Sequence, residues 1–122
     1  MEVNESEAYA FVARFNVGAQ SQYDRVAISF KTRPEDGTYP LVFPQDGKLK
    51  NLNPGEAHHN TIYEGKNYVT KDGSHQVVVT TEINGKKKLS FQNLPMLYWG
   101  TVVNGGTQLP EGSTISGVII EN

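Results

Sequence analysis

The side chains in this chain best suited to chemistry are aromatic rings and planar amides. Tyr39, Tyr63, Tyr68, Tyr98 and Trp99 share the sequence with Asn51, Asn53, Asn60, Asn93, Asn104, Gln92 and Gln108. An exposed flat ring stacks against the CH face of a sugar. An amide both donates to and accepts from hydroxyls, so a concave site built from the two needs no cofactor. The expected ligand-binding residues are Tyr98, Asn104, Gln108, Tyr63 and Asn60. Tyr98 and Trp99 are consecutive, and consecutive strand residues leave opposite faces. Leu97 and Trp99 make an apolar set, whereas Met96, Tyr98 and Gly100 make a mixed one. This predicts Trp99 in the core and Tyr98 nearer solvent, beside the loop 104–112. The alternative reading of these rings is plain aromatic core.

His58-His59 with Glu64 is the one metal-like grouping. The stretch Gly55-Glu56-Ala57-His58-His59-Asn60-Thr61-Ile62-Tyr63-Glu64-Gly65 resembles the first motif of the cupins, and Pro110-Glu111-Gly112 their second Pro-x-Gly. The departures fall on the ligands. Here the histidines are adjacent rather than separated by one residue, so on a strand they face opposite sides. Ile115 stands at the second-motif histidine position. No cupin ligand set is carried over. The histidines are expected as exposed polar residues of a loop, with no metal and no cofactor.

No serine sits in a Gly-x-Ser-x-Gly elbow, and Ser74-His75 adjacency does not place a base on a hydroxyl. No glycine-rich stretch has phosphate-loop spacing. Glu35-Asp36 lies in a turn whose composition already accounts for it. No catalytic residue is expected. Lys86-Lys87-Lys88, with Arg14, Arg25, Lys31 and Arg33, invites a phosphate-tracking reading on an oligonucleotide-type barrel. Near-neutral charge argues against nucleic acid as a partner.

The element with the strongest local signature is His75–Gln92, two β-type runs meeting at Asn84-Gly85. A two-residue Asn-Gly loop would set Val79 opposite Ser90, apolar against polar. A three-residue loop Ile83-Asn84-Gly85 pairs Val77 with Phe91, Val79 with Leu89 and Glu82 with Lys86, and gives Gly85 the left-handed position. The second register is the expected one. Before it, Tyr9, Phe11, Ala13, Phe15 and Val17 alternate with smaller or polar residues, as do Val26, Ile28, Phe30 and Thr32. Tyr39–Phe43 reads as a short edge strand because of Pro40 and Pro44. The stretch 45–60 has no periodicity and reads as a long irregular loop. Residues 61–70 read as a hairpin or bulge about Glu64-Gly65, 94–103 as one strand and 115–120 as the last. Pro34-Glu35-Asp36-Gly37 and Asn53-Pro54-Gly55 are turns.

These elements predict an all-β fold, an antiparallel β-sandwich or jelly-roll-like barrel of about eight strands. A flexible acidic arm at 1–7 precedes a single domain at 8–122. Of 13 acidic side chains, Glu2, Glu5 and Glu7 lie in that arm, leaving the rest close to balance against 11 basic ones. Cysteine is absent, which excludes disulfides and thiolate metal sites. The chain has no membrane-length apolar run and no signal-peptide pattern, consistent with a cytoplasmic or virion-associated protein if it is complete. The functional expectation is a non-enzymatic, lectin-like carbohydrate-binding module. The alternatives are a structural subunit of a virion or other symmetric assembly, self-associating through edge strands as a homo-oligomer, and a single-stranded nucleic-acid-binding barrel of the oligonucleotide-binding type.

Overall fold

The computed structural model describes residues 2–4, 8–15, 24–103 and 106–122. Among the described residues ten strands form one sheet: β1 (Glu2–Asn4), β2 (Ala8–Arg14), β3 (Arg25–Phe30), β4 (Gly37–Val42), β5 (Ala57–Tyr63), β6 (Lys66–Val69), β7 (Asp72–Thr81), β8 (Lys87–Pro95), β9 (Leu97–Thr101) and β10 (Thr114–Ile120). Their order is β1-β2-β3-β5-β4-β7-β8-β10, with β6 pairing β5 and β9. The sheet is barrel-shaped and nearly closed, in line with the all-β sandwich or barrel expected. Among the described residues the only helical pieces are 3-10 turns at Gln45–Gly47 and Leu49–Asn51. No helix there is long and apolar enough to cross a membrane.

The barrel interior collects the alternating apolar residues. Phe11, Ile28, Leu41, Val77, Val79, Leu89 and Leu94 are buried in one cluster, with Tyr9, Ala13 and Phe15 packed against it. The period-two face of the first strand therefore points inward as read; Val17 lies outside the described residues. Phe11 meets Phe30 edge-on at 5.7 Å, and Phe30 meets Tyr39 edge-on at 5.1 Å, the offset geometry that ring quadrupoles favour.

The hairpin forms in the three-residue register. Val77 pairs Phe91, Val79 pairs Leu89, and Thr81 pairs Lys87. The Glu82 amide donates to the Lys86 carbonyl at 2.8 Å, and the Gly85 amide to the Glu82 carbonyl at 2.8 Å. Gly85 has φ +83° with open space around a would-be Cβ, so only backbone strain opposes a side chain there. Residues 61–70 form the β5–β6 hairpin about Glu64-Gly65, both at positive φ.

Three expectations are corrected. Tyr39–Phe43 is not an edge: β4 pairs antiparallel with β7 and meets β5 in parallel at Leu41–Ala57, and Pro40 is tolerated beside a register shift. The stretch 45–60 is irregular only as far as Glu56. His58, His59 and Asn60 lie in β5, and its order comes from pairing with β3 and β6 rather than from its own periodicity. The stretch 94–103 is two strands. The hairpin's second arm runs to Pro95, and Met96 turns the chain to β9 while its amide donates to the Ser113 carbonyl at 3.0 Å. Within the acidic arm, Glu2–Asn4 pairs along β2.

Glu121 fastens the two ends of the sheet. Its buried carboxylate accepts from Tyr9 Oη of β2 at 2.6 Å, from Arg33 Nε and Nη2 at 3.1 and 2.8 Å, and from the Lys87 amide at 2.9 Å. These donors, Arg33 foremost, hold its carboxyl down to about 2. In β5, His59 lies fully buried between two threonines. Thr70 gives its hydroxyl proton to the Pro95 carbonyl at 3.0 Å, so His59 Nδ1–H donates to Thr70 Oγ1 at 2.9 Å. Nε2 is then bare and accepts from Thr61 Oγ1 at 2.6 Å. Burial pushes this neutral ring down to about 3.

Gly85→Val should cost about 1–2 kcal/mol through the strain of φ > 0 at a β-branched residue, read as a lower denaturation midpoint at unchanged m-value. Acid should weaken the fold in two windows. The folded form keeps His59 neutral, so unfolding takes up a proton below its ordinary value of 6.5, and stability falls from there toward about 3. The limiting slope is ~1.4 kcal/mol per pH unit. Glu121 contributes stability that is complete above its ordinary value of 4.5 and is lost as pH falls through about 2. Melting temperatures across pH should show His59→Gln flattening the upper window, with a residual slope from His58, which burial also lowers. Glu121→Gln should flatten the lower window and cost about 2 kcal/mol at neutral pH.

Candidate functional site

β9 lies outside the main strand path and, among the described residues, pairs only with β6. Lys66 opposes Thr101 and Asn67 opposes Gly100, but Tyr68 opposes Tyr98, which leaves Trp99 as an extra residue. A bulge of this kind breaks the alternation of side chains and re-aims them. The expectation for Trp99 fails for a further reason: β9 buries neither face, Leu97 being exposed as well. Trp99 is 48% exposed rather than in the core, and Tyr98 is 36% exposed. The Trp99 ring lies 4.7 Å from that of Phe43, and Lys71 Nζ sits 4.0 Å above the Trp99 centroid. A cation over the indole makes this surface a packed one rather than an open stacking platform.

Tyr98 keeps a different neighbourhood. Its ring meets that of the buried Tyr68 at 6.1 Å, and its hydroxyl is 2.7 Å from Thr101 Oγ1. Tyr98 and Gln108 line one open cleft of about 490 Å³, together with His75, Asn93, Glu111 and Thr114. The segment that presents Gln108 is pinned by the Leu109 amide on Tyr68 Oη at 2.9 Å, and by a turn at Pro110–Ser113 whose Gly112 has φ +88°. Tyr98 and Gln108 thus line the same cleft. Asn60 is not with them. On β5 it bonds Asn67 and the Tyr68 carbonyl of the neighbouring β6. Tyr63 stacks on Phe15 at 5.9 Å at the far end of β5. Asn104 lies outside the described residues. His75, Asn93 and Glu111 were not anticipated as lining, and only a tertiary fold brings them beside Tyr98.

The remaining candidates are engaged elsewhere. His58 is buried, its Nδ1 3.1 Å from the Val42 carbonyl, so the adjacent histidines are not exposed loop residues. Among the described residues no three of His, Cys, Asp and Glu gather as a metal site. Ser74 Oγ and Asp72 Oδ1 both approach His75 Nδ1, each at 3.2 Å. A hydroxyl-activating relay needs them on different ring nitrogens. Of the basic residues, Arg33 is held by Glu121, Lys31 donates to the Lys50 carbonyl at 2.7 Å, and Lys87 Nζ bonds Asp36 and Thr81.

Trp99→Ala should cost only about 1 kcal/mol, the scale of a partly exposed cation–π contact, whereas Phe11→Ala should cost ~3–5 kcal/mol. Chemical denaturation of the two variants would separate an edge tryptophan from a core ring.

No protein-family model matches the chain, and comparison with curated proteins and with solved structures finds no match.

Proposed function

We propose that this protein is a non-enzymatic carbohydrate-binding module whose site is the cleft between β9 and the segment 106–114. The observation that carries the reading is the placement of Tyr98 and Gln108 on one open cleft with Asn93, Glu111 and Thr114. The Tyr98 ring offers a face for a pyranose. The Gln108 and Asn93 amides and the Thr114 hydroxyl offer donors and acceptors for equatorial hydroxyls. Trp99 contributes little to such stacking, because Phe43 and Lys71 already pack on it. Wet, shallow sites of this type bind by many modest polar contacts and need neither metal nor prosthetic group.

Structural self-association is supported by a different observation. β1 adds to the sheet edge at β2 through a short backbone ladder, Glu2–Ala10 to Asn4–Ala8. The same ladder is open to the arm of a second copy, which would give a symmetric oligomer. Light scattering on the full chain and on a variant lacking residues 1–7 reads this directly. A larger species that dissociates on deletion favours assembly.

For the carbohydrate reading, titration against an immobilised panel of neutral glycans should give saturable binding. Tyr98→Ala should weaken it about tenfold or more, the loss of one stacking anchor. Trp99→Ala should leave it within about twofold. A panel without any saturable signal, or equal losses from the two variants, would reject this site.

A further inference from the structure

We infer that the cleft at Tyr98 is one end of a continuous groove that takes an uncharged oligosaccharide chain rather than a single sugar; this rests on the carbohydrate reading above. A second shallow cleft of about 610 Å³ lies on the outer face of β7, β8 and β10, lined by Gln76, Ser90, Gln92, Ser116 and Val118. His75 lines both clefts.

The backbone at their junction is irregular on two strands. Between Leu94 and Phe91 β8 takes three residue steps, while β10 takes two between Ile115 and Gly117. The extra residue falls at Gln92-Asn93, and Asn93 has φ +53°. Consecutive residues of a regular strand point to opposite faces, but here Gln92 and Asn93 are both exposed, Gln92 in the second cleft and Asn93 in the first. The Asn93 amide is held by Ser116 Oγ at 2.8 Å, which fixes the bulge. On β7, four residue steps from Asp72 to Gln76 oppose two on β4, from Val42 to Pro40. The Asp72 carboxylate closes that irregular turn by accepting from the Ser74 amide at 3.0 Å. Left-handed backbone at a non-glycine residue is retained only where surrounding structure enforces it, and such positions gather at binding sites. Both irregularities converge on His75, so the polar side chains continue from one cleft into the other.

The lining names the ligand class. Among the described residues Glu111 and His75 are its only titratable side chains besides the Tyr98 phenol; amides and hydroxyls are set among a larger apolar surface from Met96, Leu97, Leu109, Phe91 and Val78. That surface suits neutral, hydroxyl-rich units repeated along a chain, each adding contacts without a new association cost.

Calorimetry with disaccharides and hexasaccharides of the gluco, manno and xylo series tests the inference. One neutral hexasaccharide should bind at least about tenfold tighter than its disaccharide. Gln76→Ala combined with Gln92→Ala, both at exposed positions, should return the hexasaccharide to disaccharide affinity and leave the disaccharide unchanged. His75→Ala should weaken both. Equal affinity at both lengths, still lost in Tyr98→Ala, would confine the site to the first cleft and overturn the groove while sparing the carbohydrate reading. Tighter binding of an oligogalacturonide would overturn the uncharged class. Binding of neither length, with melting temperatures intact, would remove both readings.

Discussion

The fold depends on closing a curled sheet whose end strands lie far apart in sequence. Glu121, just after β10, does this with one carboxylate that receives donors from β2, from the β3–β4 connection and from β8. A buried carboxylate with no donors would be costly, but here the charge is met by a two-point guanidinium contact and two further hydrogen bonds. Arg33 also donates to the Gly85 carbonyl at 3.2 Å, so the hairpin tip is tied to the same point. Tight register at this end leaves the irregularities to fall elsewhere.

They fall at the opposite side, where β7, β8 and β9 each carry extra residues. Bulges increase local twist and turn successive side chains onto one face. Tyr98, Asn93 and His75 therefore reach a common surface from three strands. A regular ladder would have sent part of this set inward. The same feature blunts β9 as an edge, since a bulged strand pairs poorly with another chain.

Between these two regions β5 acts as the structural spine. It lies between β3 and β4 and also pairs β6, so its polar residues are buried and need internal partners. His58 and His59 find them in a carbonyl and two threonine hydroxyls. What reads in isolation as a metal-like pair is two separately held rings: His59 in a network with Thr61 and Thr70, and His58 apart from it on the Val42 carbonyl. A satisfied network of this kind fixes register without the desolvation cost of a buried charge.

The sequence by itself determined the all-β class, the inward faces of β2 and β3, and the β7–β8 register with Gly85 at positive φ. Those follow from period-two alternation and from the steric demand of a left-handed turn, both local properties. It also placed Tyr98 beside the segment that carries Gln108. It did not determine that Trp99 is exposed, because whether a face of β9 is covered depends on what packs against it, and Leu97, on the same expected apolar face, is exposed too. Nor did it reveal β5 through His58 and Asn60, whose burial comes from neighbours in sequence-distant strands. Asn93 and His75 joined the candidate site only in the tertiary structure, where three register shifts converge. Local chemistry fixes turns and faces, whereas the alignment of one strand against another is decided by closure of the whole sheet.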